Sequence, residues 1–166
     1  MKTKNIYTKP IDSKYISERI TTEAPGHKKY EIDGHVYDLR NAEDFLCKEG
    51  TPIKASLEGK VIDIKDNIMK VWDEKTNPPE DFMPLDEQDG NYVVIQHENS
   101  ELSMYSHLQP GSINVKPGDK IKTAQRIASS GHNGWSINPH LHYMVFRFTK
   151  PAPARDWESL EVQWKE

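Results

Sequence analysis

Short runs that alternate apolar and polar residues dominate the chain from residue 30 onward, and Gly, Pro and Asn separate them. Alternation with a period of two is the pattern of a half-buried β-strand. Helical periodicity is unconvincing throughout, and only 40–47 could hold one or two helical turns. We therefore expect an all-β sandwich or barrel with little helix. The predicted strands are 35–39, 52–56, 59–65, 67–72, 91–97, 102–107, 119–128, 141–148 and 160–164.

Three segments fall outside the main run of strands. Residues 1–26 are predicted to be an N-terminal arm or edge strand that precedes a single domain over 27–166. Within that domain, 73–90 has seven acidic residues, one lysine and three prolines. Because proline cannot donate a hydrogen bond to a sheet, we expect an acidic loop insertion there. Residues 149–166 are predicted to be a C-terminal extension.

Composition narrows the classes of protein that fit. The chain has 166 residues, 22 Lys and Arg against 26 Asp and Glu, and a formal net charge of -4. This balance argues against a protein that binds nucleic acid or an anionic membrane. The single cysteine excludes an intrachain disulfide framework. No apolar run is long enough to span a membrane, and no signal peptide is recognisable at the start, so we expect a soluble protein.

Candidate chemistry comes from the seven histidines, which lie at positions 27, 35, 97, 107, 132, 140 and 142. His140 and His142 open an apolar run, and residues i and i+2 of a strand point to the same face. His107 ends the second strand of a predicted hairpin. Asp38 lies in an apolar context, where a carboxylate is unusual unless it is paired or bound to a metal. Zinc takes imidazole and carboxylate ligands, and catalytic zinc sites use three of them plus water.

The motifs from residue 90 to residue 146 resemble those of lysostaphin-type zinc metallopeptidases, a family of peptidoglycan endopeptidases. Upstream, Tyr37-Asp38-Leu39, 49–53 and 58–61 fit the first half of the same family. The resemblance covers roughly residues 27–148. It implies a compact antiparallel β-sandwich related to the barrel-sandwich hybrid, the duplicated hybrid motif of biotinyl and lipoyl carriers. The matching motifs are GNYVVI with His97, MYSHL at 104–108, VKPGDKI at 115–121, SGHNG at 130–134 and PHLH at 139–142.

The resemblance also implies a set of site residues. Asp38 and His142 match zinc ligands, and His107 and His140 match the two histidines that do not bind the metal. The remaining ligand is a histidine that normally stands four residues before the aspartate, but position 34 is Gly34. His27, in a turn, is preferred to His35, which would point to the opposite face of the strand from Asp38 unless a bulge intervenes.

The expected activity follows from this set. We expect zinc to activate a water molecule that hydrolyses a peptide bond, most plausibly in a peptidoglycan cross-link. No glutamate of an HExxH motif is present, so a histidine must handle the proton. His140 is the candidate base, and His107 would hydrogen-bond the developing oxyanion or protonate the leaving amine, although the sequence leaves open which of the two is the base. A peptidoglycan substrate implies a cell-envelope or extracellular location. The alternative is a non-catalytic member of the fold that binds peptidoglycan or regulates another hydrolase.

Overall fold

The structure is a computed structural model and describes residues 1–21, 24, 26–70, 88–150 and 156–166. Short 3-10 turns occupy Ser13–Tyr15 and Glu98–Ser100. The described residues form thirteen strands. They are β1 (Lys2–Tyr7), β2 (Glu18–Ile20), β3 (Lys29–Ile32), β4 (His35–Asp38), β5 (Glu43–Leu46), β6 (Pro52–Lys54), β7 (Gly59–Lys65), β8 (Tyr92–Gln96), β9 (Leu102–Ser106), β10 (Lys120–Ile121), β11 (Arg126–Ser129), β12 (His140–Phe148) and β13 (Trp157–Trp164).

The prediction of an all-β fold is confirmed. The larger sheet has the order β10-β7-β8-β9-β12-β13-β4-β3, and β11 and β6 form a second, two-stranded sheet. Pairing is antiparallel except for β1 with β13 and β4 with β13. In the described part of the chain, no helix is both long and apolar enough to cross a membrane.

Three sequence predictions about local structure need correction. Segment 40–47 contains no helical turn; instead its burial alternates over β5, which pairs with β12. Segment 119–128 forms two separate strands, and Ala124 between them has a left-handed φ of 64°. The predicted strand at 67–72 is absent over 67–70, and most of the predicted acidic loop, 71–87, lies outside the described residues.

The nine-residue strand β12 is the centre of the fold. Leu141, Tyr143 and Val145 point into the main core, where all three are fully buried. A leucine truncated to alanine at such a site costs about 2–5 kcal/mol. On the opposite face, Met144 and Phe146 belong to a second apolar cluster, while His140 and His142 occupy the same face nearer the start of the strand.

The N-terminal residues lead the chain towards that histidine face. Strand β1 pairs with β13, and the buried carboxylate of Glu101 accepts hydrogen bonds from the backbone of Lys4 and Asn5. Strand β2 then pairs with β5, which itself pairs with the first half of β12. The loop that follows β2 is thereby placed beside the start of β12.

Candidate metal centre

Strand register brings an aspartate opposite the second histidine of β12. In the pairing of β12 with β5, His142 is the Cα partner of Asp44, and His140 is the partner of Leu46. On its other side, His142 is the partner of Ser106 at the end of β9. The register therefore places Asp44 of β5 and the end of β9 next to His142.

Three donor atoms converge at this point. Asp44 Oδ1 lies 2.9 Å from His142 Nδ1 and 3.2 Å from His27 Nε2, and the two ring nitrogens are 3.4 Å apart. His27 comes from the loop after β2, seventeen residues before Asp44. Both histidines are buried, and the side chain of Asp44 is 13% exposed.

Hydrogen bonding fixes which nitrogen of His27 faces this point. Its Nδ1–H donates to the carbonyl oxygen of Thr21 at 2.6 Å, so Nε2 is the nitrogen that faces Asp44. The loop is held by a bond from the backbone N–H of His27 to Ala24 and by one from the Tyr30 hydroxyl to Gly26. These bonds of the described residues position a histidine that lies far from Asp44 along the chain.

The donor set fits a zinc ion. Two imidazole nitrogens and one carboxylate oxygen are a set that catalytic zinc sites use. A tetrahedron with zinc–ligand distances of 2.0–2.1 Å has edges of about 3.3 Å. The three measured separations of 2.9, 3.2 and 3.4 Å are close to that edge length. These residues could therefore hold a tetrahedral metal and leave one position for water.

His107 and His140 form a second pair beside this set. Their ring centroids are 4.6 Å apart, and both are grouped with His142 as residues that could approach one ion. His107 Nδ1 lies 2.8 Å from the carbonyl of Asn133, and His140 Nδ1 lies 2.7 Å from that of Asn138. In both rings Nδ1–H therefore donates outward, and Nε2 is left as a proton acceptor.

One loop orients both rings. Residues 131–138 supply the two carbonyls, and the side chain of Asn133 bonds to Leu108 and to the backbone N–H of Asn91. A Cβ at Gly134 would clash with the backbone of Gly90, and its φ is 73°, so this close approach requires glycine. His107 itself has a left-handed φ of 59°, a strained conformation that is common at functional sites.

The pKa shifts of the His107–His140 pair differ in direction from that of His142. Burial lowers the pKa of His107 well below its ordinary 6.5, and the charges of His140 and His142 lower it further. Burial also lowers the pKa of His140, although Asp44 opposes the shift. Both rings are therefore neutral near pH 7.

His142 behaves differently because it faces acids. Burial works to lower its pKa, but the hydrogen bond and charge of Asp44 and the charge of Asp89 raise it above 6.5. The Nε2 atom of His142 is buried and makes no hydrogen bond within the described part of the chain. Metal-binding histidines usually direct their second nitrogen to a carboxylate or carbonyl, and Asp89 is the acid whose charge acts on this ring.

The structure does not bring Asp38 or His35 to this cluster. Asp38 binds Arg40 through both carboxylate oxygens, at 2.9 and 2.7 Å, and Nδ1 of His35 lies 2.9 Å from Asp156. Neither is part of a cluster that could hold a metal among the described residues. The structure therefore brings Asp44, rather than Asp38, next to His142, and it brings His27, rather than His35, to the same point.

Asp44 lies in 40–47, the segment for which the sequence allows one or two helical turns. The burial of Glu43-Asp44-Phe45-Leu46 alternates only in the folded structure, because the sequence itself has two acids followed by two apolar residues. Four residues before Asp44 stands Arg40 rather than histidine, so the His-x-x-x-Asp spacing gave no help. Of the remaining histidines, His97 bonds Glu58 and Ser103, and His132 bonds Ser136.

Comparison with known proteins supports the family that the sequence motifs indicate. The sequence profile of peptidase family M23 matches residues 39–153. The peptidoglycan DD-endopeptidase ShyA of Vibrio cholerae is 32% identical over 145 residues, which are 87% of this chain but only 28% of that relative. The chain thus spans little more than a quarter of that curated relative.

Solved structures show the same fold. A zinc-containing peptidase from Vibrio cholerae superposes with a TM-score of 0.56 and 26% identity over 85% of this chain and 36% of that one. The catalytic domain of lysostaphin from Staphylococcus simulans gives a TM-score of 0.51 and 24% identity over 80% of each chain. The resemblance read from the sequence motifs is confirmed, and because the family profile covers well over half of its length, this chain belongs to peptidase family M23.

Proposed function

We propose that this protein is a zinc-dependent endopeptidase in which His27, Asp44 and His142 hold the metal. The observation that carries the proposal is the convergence of their three donor atoms within 3.4 Å, next to a pair of buried neutral histidines. When bound, zinc would supply a Lewis acid that polarises a carbonyl and acidifies a water molecule.

His107 and His140 would handle the protons of the reaction. With Nδ1–H fixed on a backbone carbonyl, the Nε2 of each ring can take a proton from the attacking water. We assign this role to His140, whose Nε2 lies 3.6 Å from Asp44 Oδ1.

Both rings are neutral near pH 7, and two charged rings would repel each other, so the pair takes up one added proton at a time. Once one ring holds that proton, the pair contains one acid and one base. The ring that gains the proton can then donate it to the amine that leaves when the peptide bond breaks, and the neutral pair is restored.

We propose peptidoglycan peptides as the substrate. The support is membership of peptidase family M23 together with a relative named as a peptidoglycan DD-endopeptidase. A wall substrate would place the protein in the cell envelope or outside the cell. The negative net charge of -4 fits a peptide substrate better than a nucleic acid.

The test combines metal content with hydrolysis. Purified protein should contain one zinc per chain and should release shortened muropeptides from purified peptidoglycan, seen by chromatography and mass spectrometry. His142→Ala should lose zinc and activity together, while His132→Ala, whose ring bonds Ser136 outside the cluster, should keep both.

The alternative, a non-catalytic module that binds peptidoglycan or regulates another hydrolase, is favoured by one observation. Arg40 stands where the His-x-x-x-Asp spacing requires a histidine, so the first ligand must come from a distant loop. Wild-type protein that binds peptidoglycan without zinc and without cleavage would establish the alternative and contradict the enzyme.

A further inference from the structure

The face of β12 that carries the histidines changes character along the strand. His140, His142 and Met144 project to the same side at successive intervals of two residues. All three line one groove with a volume of about 500 Å³. Because two residues of a strand span about 6.6 Å, Met144 lies one such step beyond the candidate zinc ligand.

Beyond His142 the groove is apolar. Leu39, Met144 and Trp157 line it and pack against the second apolar cluster. The wall opposite comes from the β3–β4 hairpin, where Tyr37 places its ring centroid 5.7 Å from that of Trp157. We call Tyr37, Leu39, Met144 and Trp157 the apolar arm of the groove.

The acidic residues of the groove lie around His142. Among the described residues that line the groove, the carboxylates are Asp44 and Asp89, and both act electrostatically on His142. No lysine or arginine lines it in the described part of the chain. A charged side chain in the apolar arm would lose its hydration without gaining a partner, which is unfavourable.

A peptide that runs from the metal along β12 towards Met144 enters this arm. The backbone of an extended peptide advances about 3.3 Å per residue, so a residue within about two positions of the scissile bond reaches Met144. A glycine there would leave the apolar surface in contact with water, whereas an aliphatic or aromatic side chain would cover it.

We propose that the apolar arm is a specificity pocket for an uncharged, apolar side chain that lies within about two residues of the scissile bond. This inference rests on the proposed function, because it assumes that the histidine cluster is where the peptide is cut. It predicts that the preferred substrate is a peptide with such a side chain rather than a run of glycines.

The experiment uses pentaglycine with blocked ends, and variants of it in which one Leu or one Lys is placed at each position in turn. Binding to zinc-loaded His107→Ala protein is measured by calorimetry, and cleavage by wild-type protein is measured by mass spectrometry. The best Leu peptide should bind at least about tenfold more tightly than pentaglycine, since burial of a leucine side chain contributes at least that factor. The Lys peptides should show no gain.

Two variants test whether the apolar arm causes the preference for Leu peptides. In the same His107→Ala background, Met144→Gln and Leu39→Gln each place an amide in the apolar arm and should remove most of the gain for Leu. The matched control is Ile62→Gln, which makes the same kind of change at an exposed position outside the groove and should leave the preference intact. Zinc content and thermal unfolding, measured for all three, show that the folded proteins are being compared.

The outcomes separate the two claims. Equal binding of pentaglycine and every Leu peptide, or a preference that survives both groove variants when they are folded, would overturn the specificity pocket. A Leu preference in binding with no cleavage of any peptide by zinc-loaded wild type would leave the pocket standing and contradict the proposed endopeptidase.

Discussion

Two histidine–aspartate pairs lie upstream of β12, and their side chains lie in different environments. His27 and Asp44 come from different elements, yet their side chains meet 3.2 Å apart and both face His142. His35 and Asp38 lie three residues apart on β4, yet each is bound elsewhere, to Asp156 and to an arginine. Proximity along the chain therefore says little about which pair forms a site.

The partner of each aspartate explains the difference. Arg40 remains protonated at any physiological pH, and its positive charge balances the negative charge of the Asp38 carboxylate. This contact lowers the pKa of Asp38. Burial works to raise the pKa of Asp44, but hydrogen bonds from His142 and His27 lower it well below its usual range. Imidazoles can exchange their protons for a metal ion, whereas a guanidinium cannot. Of these two aspartates, Asp44 alone belongs to a cluster that could hold a metal within the described part of the chain.

The largest effect expected in the Asp44 region is a loss of hydrolysis rate without a loss of zinc. His107→Ala should lower turnover by about 10²–10⁴-fold, the scale for loss of an acid–base residue, while zinc content stays near one per chain. Hydrolysis rate and zinc content measured on the same preparation check this. Full activity in the variant would remove His107 from the reaction.

The next effect compares the two histidines. His27→Ala should weaken zinc binding by more than the 10–100-fold that is typical of an outer-shell partner, because it removes one of three direct ligands. His35→Ala should leave zinc affinity unchanged, since that ring is 39% exposed and pairs with Asp156. Competition with a fluorescent chelator gives both affinities. Loss of zinc in His35→Ala alone would reverse the assignment.

The sequence predicts some residues of the candidate site and not others. The sequence predicts that His140 and His142 share a strand face, because 141–148 is an apolar run typical of a strand and the face of each side chain depends only on the strand period. Asp44 depends on the register between β5 and β12, and His27 depends on the pairing of β2 with β5. Register and pairing over such distances are set by the packing of the whole sheet, which local patterns do not encode.

A smaller effect is expected at Asp89, the second acid near His142. Asp89→Asn removes a negative charge that raises the pKa of His142, so it should reduce zinc affinity, but by less than the loss of a proposed ligand. Asp156→Asn is the matched control, because that buried acid supports His35 in the second pair. Equal zinc affinity in wild type and Asp89→Asn would show that Asp89 plays no supporting role.

The smallest effect concerns pH. The pKa values of His107 and His140 are lowered from 6.5, mainly by burial, so both rings stay neutral and able to accept a proton below that pH. With zinc in excess and its occupancy verified at each pH, the acid limb of kcat/KM should have its midpoint below 6.5. A midpoint above 6.5 would contradict the assignment of these rings as the proton acceptors.

The central claim is that Asp44, and not Asp38, completes the metal site. The direct measurement is the zinc affinity of Asp44→Asn and Asp38→Asn, prepared and measured side by side with wild type. Asparagine keeps the shape and removes the charge in both. We predict that Asp44→Asn loses most of its zinc affinity and that Asp38→Asn retains the wild-type value. Retained affinity in Asp44→Asn, with loss in Asp38→Asn, would contradict the account.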